Sequence, residues 1–168
     1  MSAPPLPLRA LDLLATLRSH RVEFVVIGGF SLAAHGYVRA TKDVDIVPEP
    51  EPANLRRLWG ALQDLDAAPM LGDFDAEELP VSFTADGLIE GGGNWVLQTR
   101  LGRLDVMQYV SGIHSYEQLA QGAVVPDLPG MDHPPEFAGR DDLIAMKHAA
   151  GRPLDLQDIS ALERTGPS

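Results

Sequence analysis

Ala10, Leu13, Leu14 and Leu17 recur at i, i+3, i+4 and i+7, which predicts a helix with one apolar face. The residues before it, Met1 to Pro7, carry three prolines and no pattern, and read as a loose leader. The period then shortens. Val22 to Ile27 is a brief, largely apolar and β-branched run that stops at Gly28 and Gly29, as a buried strand would. Phe30 to His35 resumes helical character and ends at Gly36. Val44, Ile46 and Val47, interleaved with Asp43 and Asp45, form a second strand closed by Pro48 and Pro50.

A second amphipathic helix places Leu55, Leu58, Trp59 and Leu62 on one face, with Pro52 in its first turn. Turn formers and acids dominate Asp66 to Gly93, where a short strand is expected near Val81 to Phe83. Asn94 to Thr99 and Arg103 to Val110 read as a hairpin around Leu101-Gly102. Two helices, about Asp141 to Ala149 and Pro153 to Glu163, follow on either side of Gly151-Arg152-Pro153. The order predicts one domain over residues 1–168, of α/β (α+β) class: a small mixed central sheet with helices packed on it.

Composition narrows the function classes. At 168 residues and 45% apolar, the chain can bury a core without staples. No apolar run approaches the roughly 18 residues of a membrane span, and no export signal is visible. Cysteine is absent, which removes disulfides, thiolate metal sites and thiol nucleophiles together. A cytoplasmic protein with no membrane partner is expected. The net charge of −11 disfavours a long phosphate-backbone footprint, although a bound cation can reverse the field locally.

Chemistry concentrates between Val25 and Val47. A buried strand ending in Gly-Gly and leading into a helix aims backbone N–H groups at one point, a natural phosphate seat to which Ser31 can add a hydroxyl. Asp43 and Asp45, at i and i+2 of a strand, share one face with Cα atoms about 6.5–7 Å apart. Two such carboxylates repel each other unless a cation lies between them, and Mg²⁺ (or Mn²⁺) suits an all-oxygen site shared with phosphates. Asp105, flanked by apolar residues on the hairpin's second strand, is the third carboxylate.

These segments carry a resemblance. Gly28-Gly29-Phe30-Ser31 followed by Asp43-Val44-Asp45-Ile46 resembles the defining motif of the DNA polymerase β-like nucleotidyltransferase superfamily. The tail from Asp142 to Ile159, with Lys147, Gly151-Arg152-Pro153, Asp155 and Asp158, is similar to that of small bacterial members related to AbiEii and MenT toxins. The resemblance implies that Asp43 and Asp45 bind the metal that holds a nucleoside triphosphate. It implies that Asp105 completes a second metal position and serves the acceptor hydroxyl, and that Gly28, Gly29 and Ser31 hold the β- and γ-phosphates. Lys147 would neutralise phosphate charge, oriented by Asp155 or Asp158. Where family toxins often carry a Lys beside the last acidic motif, this chain has Leu154.

The reaction so implied moves a nucleoside monophosphate from the triphosphate to an acceptor hydroxyl on an RNA end, a protein or a small molecule. A toxin role would bring an antitoxin partner. A non-catalytic nucleotide-binding module and a phosphotransferase using the same site are the alternatives. Arg39, Lys42 and Arg152 read as surface cations and His35 as a helix-end residue.

Overall fold

The structure is a computed structural model that describes residues 9–72 and 79–165; the expected leader lies outside them. Six strands form one sheet: β1 (Phe24–Ile27), β2 (Asp43–Pro48), β3 (Ala68–Pro69), β4 (Asn94–Thr99), β5 (Gly102–Met107) and β6 (Glu136–Phe137). Their order is β3-β4-β5-β2-β1-β6. Antiparallel pairs join β1 to β2, β3 to β4 and β4 to β5, while β2 runs parallel to β5 and β1 to β6. The sheet is mixed, as expected. The helices are α1 (Ala10–Ser19), α2 (Gly28–Ser31), α3 (Pro52–Asp64), α4 (Ala85–Glu90), α5 (Tyr116–Gly122), α6 (Arg140–Ala150) and α7 (Pro153–Thr165), with a 3₁₀ turn at Leu32–His35 after α2. None of the described helices is long and apolar enough to cross a membrane.

Strand alternation divides the interior into two cores. Val26 of β1, Val44 and Ile46 of β2, and Leu104 and Val106 of β5 meet Leu13, Leu14 and Leu17 of α1 and Leu55, Leu58 and Leu62 of α3. Val25 and Ile27 of β1 and Val47 of β2 meet Leu119 of α5, Leu143 of α6 and Leu162 of α7 on the other face. Asp43, Asp45, Arg103 and Asp105 alternate with the first set, so the sheet presents them on the side of α5, α6 and α7. Asn54, buried at the start of α3, ties that helix to the sheet: its Oδ1 accepts from Glu23 N (2.8 Å), and its Nδ2 donates to the carbonyls of Glu23 (2.8 Å) and Glu49 (2.9 Å).

Two local expectations differ from the structure, and one helix was not expected. Val81 to Phe83 is not a strand: Phe83 lies against Trp59 and Trp95, with ring centroids 5.0 and 5.2 Å apart, and Thr84 then caps α4 by accepting from Gly87 N (3.0 Å). Apolar packing of a bent segment imitates a strand in sequence. The second hairpin strand ends at Met107 rather than Val110, because Asn94 Oδ1 takes the N–H groups of Gln108 (2.9 Å) and Tyr109 (3.0 Å) from the ladder. Helix α5 was not anticipated, although Ser115 caps it through Gln118 N (3.1 Å), the spacing of a capping box.

Candidate active site

Register assembles the acids. In the parallel β2–β5 pair Asp45 stands opposite Asp105, and Asp43 opposite Arg103. Asp43 and Asp45 are half-buried and Asp105 is buried. One carboxylate oxygen from each of Asp43, Asp45 and Asp105 lies within 4.8 Å of the others. Such crowding is unfavourable for bare carboxylates. Burial, then the neighbouring charges of Asp43 and Asp105, push the Asp45 carboxyl up to about 7. An all-oxygen, triply acidic donor set at this spacing fits a hard divalent cation such as Mg²⁺ or Mn²⁺.

Gly28 follows β1 directly, and Ile27 is the register partner of Asp45. The glycine turns with φ +72°, and a Cβ there would lie 2.0 Å from Asp45 Oδ2. It therefore backs the carboxylate. Gly28→Ala should cost about 1–2 kcal/mol through the left-handed backbone alone. Displacing Asp45 as well should reduce turnover about a hundredfold and weaken Mn²⁺ binding in parallel. Wild-type Mn²⁺ affinity in the folded variant would contradict this.

The turn differs in one respect from the expected phosphate seat. Helix α2 is four residues long and passes into the 3₁₀ turn, so it brings little macrodipole. Ser31 is buried, and its hydroxyl donates to the Gly28 carbonyl (2.6 Å), bracing the turn from within. Gly29 lies under the guanidinium of Arg39, which a Cβ would approach to 3.1 Å. Cationic charge near the turn comes from side chains instead.

These side chains form a buried network. Lys147 Nζ on α6 lies 3.0 Å from Asp158 Oδ2 and 3.5 Å from Asp155 Oδ1, both on α7, and all three residues are buried. Gly151, with φ 65°, turns α6 into Arg152 and Pro153, bringing the acids of α7 back over the lysine. Arg39 grips Asp158 through Nε and Nη2, each at 3.0 Å. Arg152 Nε donates to Asp155 Oδ2 at 2.7 Å, and these hydrogen bonds hold the Asp155 carboxyl below its ordinary range. Arg152 is an exposed cation, as expected, paired within the tail, whereas Arg39 is largely covered and joins the approach to β2 to the tail through Asp158.

A cleft of about 480 Å³ brings the two halves together, with Gly28 and Asp45 on one wall and Lys147, Arg152 and Asp155 on the other. Met107, Tyr109 and Met146 add apolar surface to it. Gly29, Ser31, Asp43, Asp105 and Asp158 do not line it. Lys42 makes no ion pair among the described residues, and His35 closes the 3₁₀ turn, with Nε2 2.9 Å from the Ala138 carbonyl.

Arg103 was not anticipated. It donates from Nε and Nη2 to the two oxygens of Asp105, both at 2.9 Å, and lies 3.6 Å from Asp43. Its i, i+2 spacing to Asp105 on one strand was the available signal.

No protein-family model matches the sequence, and no curated protein matches it. Solved structures do. A crystal structure of ANT(2")-Ia in complex with adenylyl-2"-tobramycin is 14% identical, with TM-score 0.56 over 92% of this chain and 86% of that one. A solution structure of the antibiotic-resistance factor ANT(2'')-Ia is 17% identical, with TM-score 0.53 over 92% and 79% of the two chains. A lincomycin-bound crystal structure of the lincosamide antibiotic adenylyltransferase LnuA is 14% identical, with TM-score 0.55 over 97% and 100%. The chain has the fold of these nucleotidyltransferases, built around an acidic triad able to chelate a divalent cation.

Proposed function

We propose that the protein is a metal-dependent nucleotidyltransferase, carrying a nucleoside monophosphate from a nucleoside triphosphate to an acceptor hydroxyl with release of pyrophosphate. The observation that carries this reading is the convergence of Asp43, Asp45 and Asp105 to within 4.8 Å beside the Gly28 turn. Mg²⁺ or Mn²⁺ held by these acids supplies charge neutralisation and orientation for the triphosphate. Asp43 and Asp45 face the nucleotide, and Asp105, opposite Asp45 across β2–β5, serves the acceptor side and takes the hydroxyl proton. Gly28 and Gly29 give the phosphates access to the backbone, with Ser31 keeping the turn closed. Lys147 faces phosphate from the opposite cleft wall, fixed by Asp155 and Asp158.

A small acceptor suits the cleft size and the net charge of −11 better than a long RNA does. The structural likeness to antibiotic adenylyltransferases points the same way, whereas the toxin reading rests on the tail motif alone. The test is incubation with four α-labelled triphosphates, Mg²⁺ and fractionated cell extract, followed by identification of the labelled product and assay of pyrophosphate. Transfer of α-label with pyrophosphate release supports the proposal. In a parallel incubation with γ-labelled triphosphates, transfer of the γ-label instead would make the protein a phosphotransferase, and tight nucleotide binding without turnover would make it a binding module.

A further inference from the structure

The Arg103 guanidinium is the nearest cation to the triad. It occupies both oxygens of Asp105 at 2.9 Å and reaches Asp43 at 3.6 Å, yet its side chain remains 38% exposed. Asp105 is only 10% exposed at its side chain, so few other partners reach it. The ion pair is therefore bidentate and directed, but its cationic partner has solvent into which it can turn. A divalent cation that used Asp105 would compete for oxygens the guanidinium already holds.

We infer that Arg103 is the resident counter-cation of the acidic triad, pairing with Asp105 until a divalent metal takes that carboxylate and the guanidinium turns outward. The inference rests on the reading of the triad as a metal site. It makes Arg103 a positioning residue that acts through Asp105. Its charge keeps three crowded acids compatible with the folded protein, and it sets the metal concentration at which they load. A simple scaffolding role has the opposite signature, since loosening Asp105 would weaken metal binding.

Mn²⁺ affinity by electron paramagnetic resonance is measured for the full chain and for Arg103→Met and Arg103→Lys. Removal of the competing charge should tighten Mn²⁺ binding about tenfold or more in R103M, with R103K intermediate. Binding equal to or weaker than wild type in R103M removes the inference while leaving the metal site standing. Absence of Mn²⁺ binding in every protein removes both. A second measurement uses the wild-type chain only: phenylglyoxal modification of Arg103, followed by peptide mass spectrometry. Mn²⁺ should speed modification as the guanidinium leaves Asp105, and an unchanged or slower rate overturns the inference.

Discussion

Asp45→Asn is expected to abolish nucleotide transfer, by about 10³-fold or more, equivalent to roughly 4 kcal/mol of barrier. At neutral pH, without metal, it should also make the protein more stable. Both effects follow from position. Asp45 is the acid backed by Gly28, opposite Asp105 and exposed to the cleft, so no neighbouring carboxylate can substitute for it. Burial, and then the neighbouring charges of Asp43 and Asp105, push its carboxyl up to about 7, from an ordinary value near 3.8.

The sign of the pH effect follows. Between about pH 4 and 7 the native protein holds a proton on Asp45 that the unfolded chain has lost. Stability of the metal-free protein therefore falls as pH rises through this window and levels off above it. Other groups titrate as well, with Glu136 raised and Asp64 and Asp155 lowered. The difference between wild type and D45N isolates Asp45. Thermal midpoints in chelator from pH 5 to pH 8 should diverge, with D45N higher by several degrees at the alkaline end. Mg²⁺ at pH 7.5 should raise the wild-type midpoint and leave D45N unmoved. A gap that does not change with pH would show that burial and the neighbouring acids do not raise the Asp45 carboxyl.

Asp43 and Asp45 were legible because strand periodicity alone places them on one face, opposite Val44 and Ile46, which are wholly buried. Asp105 was legible as an acid among apolar neighbours. Its register with Asp45 was not, since parallel pairing between strands some sixty residues apart depends on the whole sheet. Arg103 lies two residues from Asp105, a local spacing that sequence offers, whereas its second contact, to Asp43 across β2–β5, depends on that same register. Short edge strands such as β3 and β6, two residues each, carry too few positions for a period to declare itself. Helix α5 was missed: its capping residues, Ser115 and Gln118, stand in a stretch without a strong apolar stripe. The tail resemblance singled out Lys147, Asp155 and Asp158 as candidates, and the structure adds their mutual burial and the anchor of Asp158 on Arg39.

That burial makes Lys147→Met the second large effect. Methionine keeps the apolar stem and removes the ammonium from between Asp155 and Asp158, which are 1% and 0% exposed. Arg152 and Arg39 remain on the two acids, but the charge shared between them is gone. Breaking a buried pair from one side costs about 3–5 kcal/mol, which for a domain of this size lowers the thermal midpoint by about 10 °C. Stability and catalysis then need separating, because an unfolded enzyme is also inactive. Asp158→Asn added to K147M removes one of the two buried carboxylates that lost the shared ammonium, and the double variant should lose less stability than the two single changes summed. If Lys147 also faces the triphosphate, activity does not return with the stability: the double variant, assayed well below its midpoint, should fold, bind Mn²⁺ at the acids and still bind nucleotide about tenfold or more weakly. Recovery of nucleotide affinity along with the fold would confine Lys147 to holding α6 and α7 together.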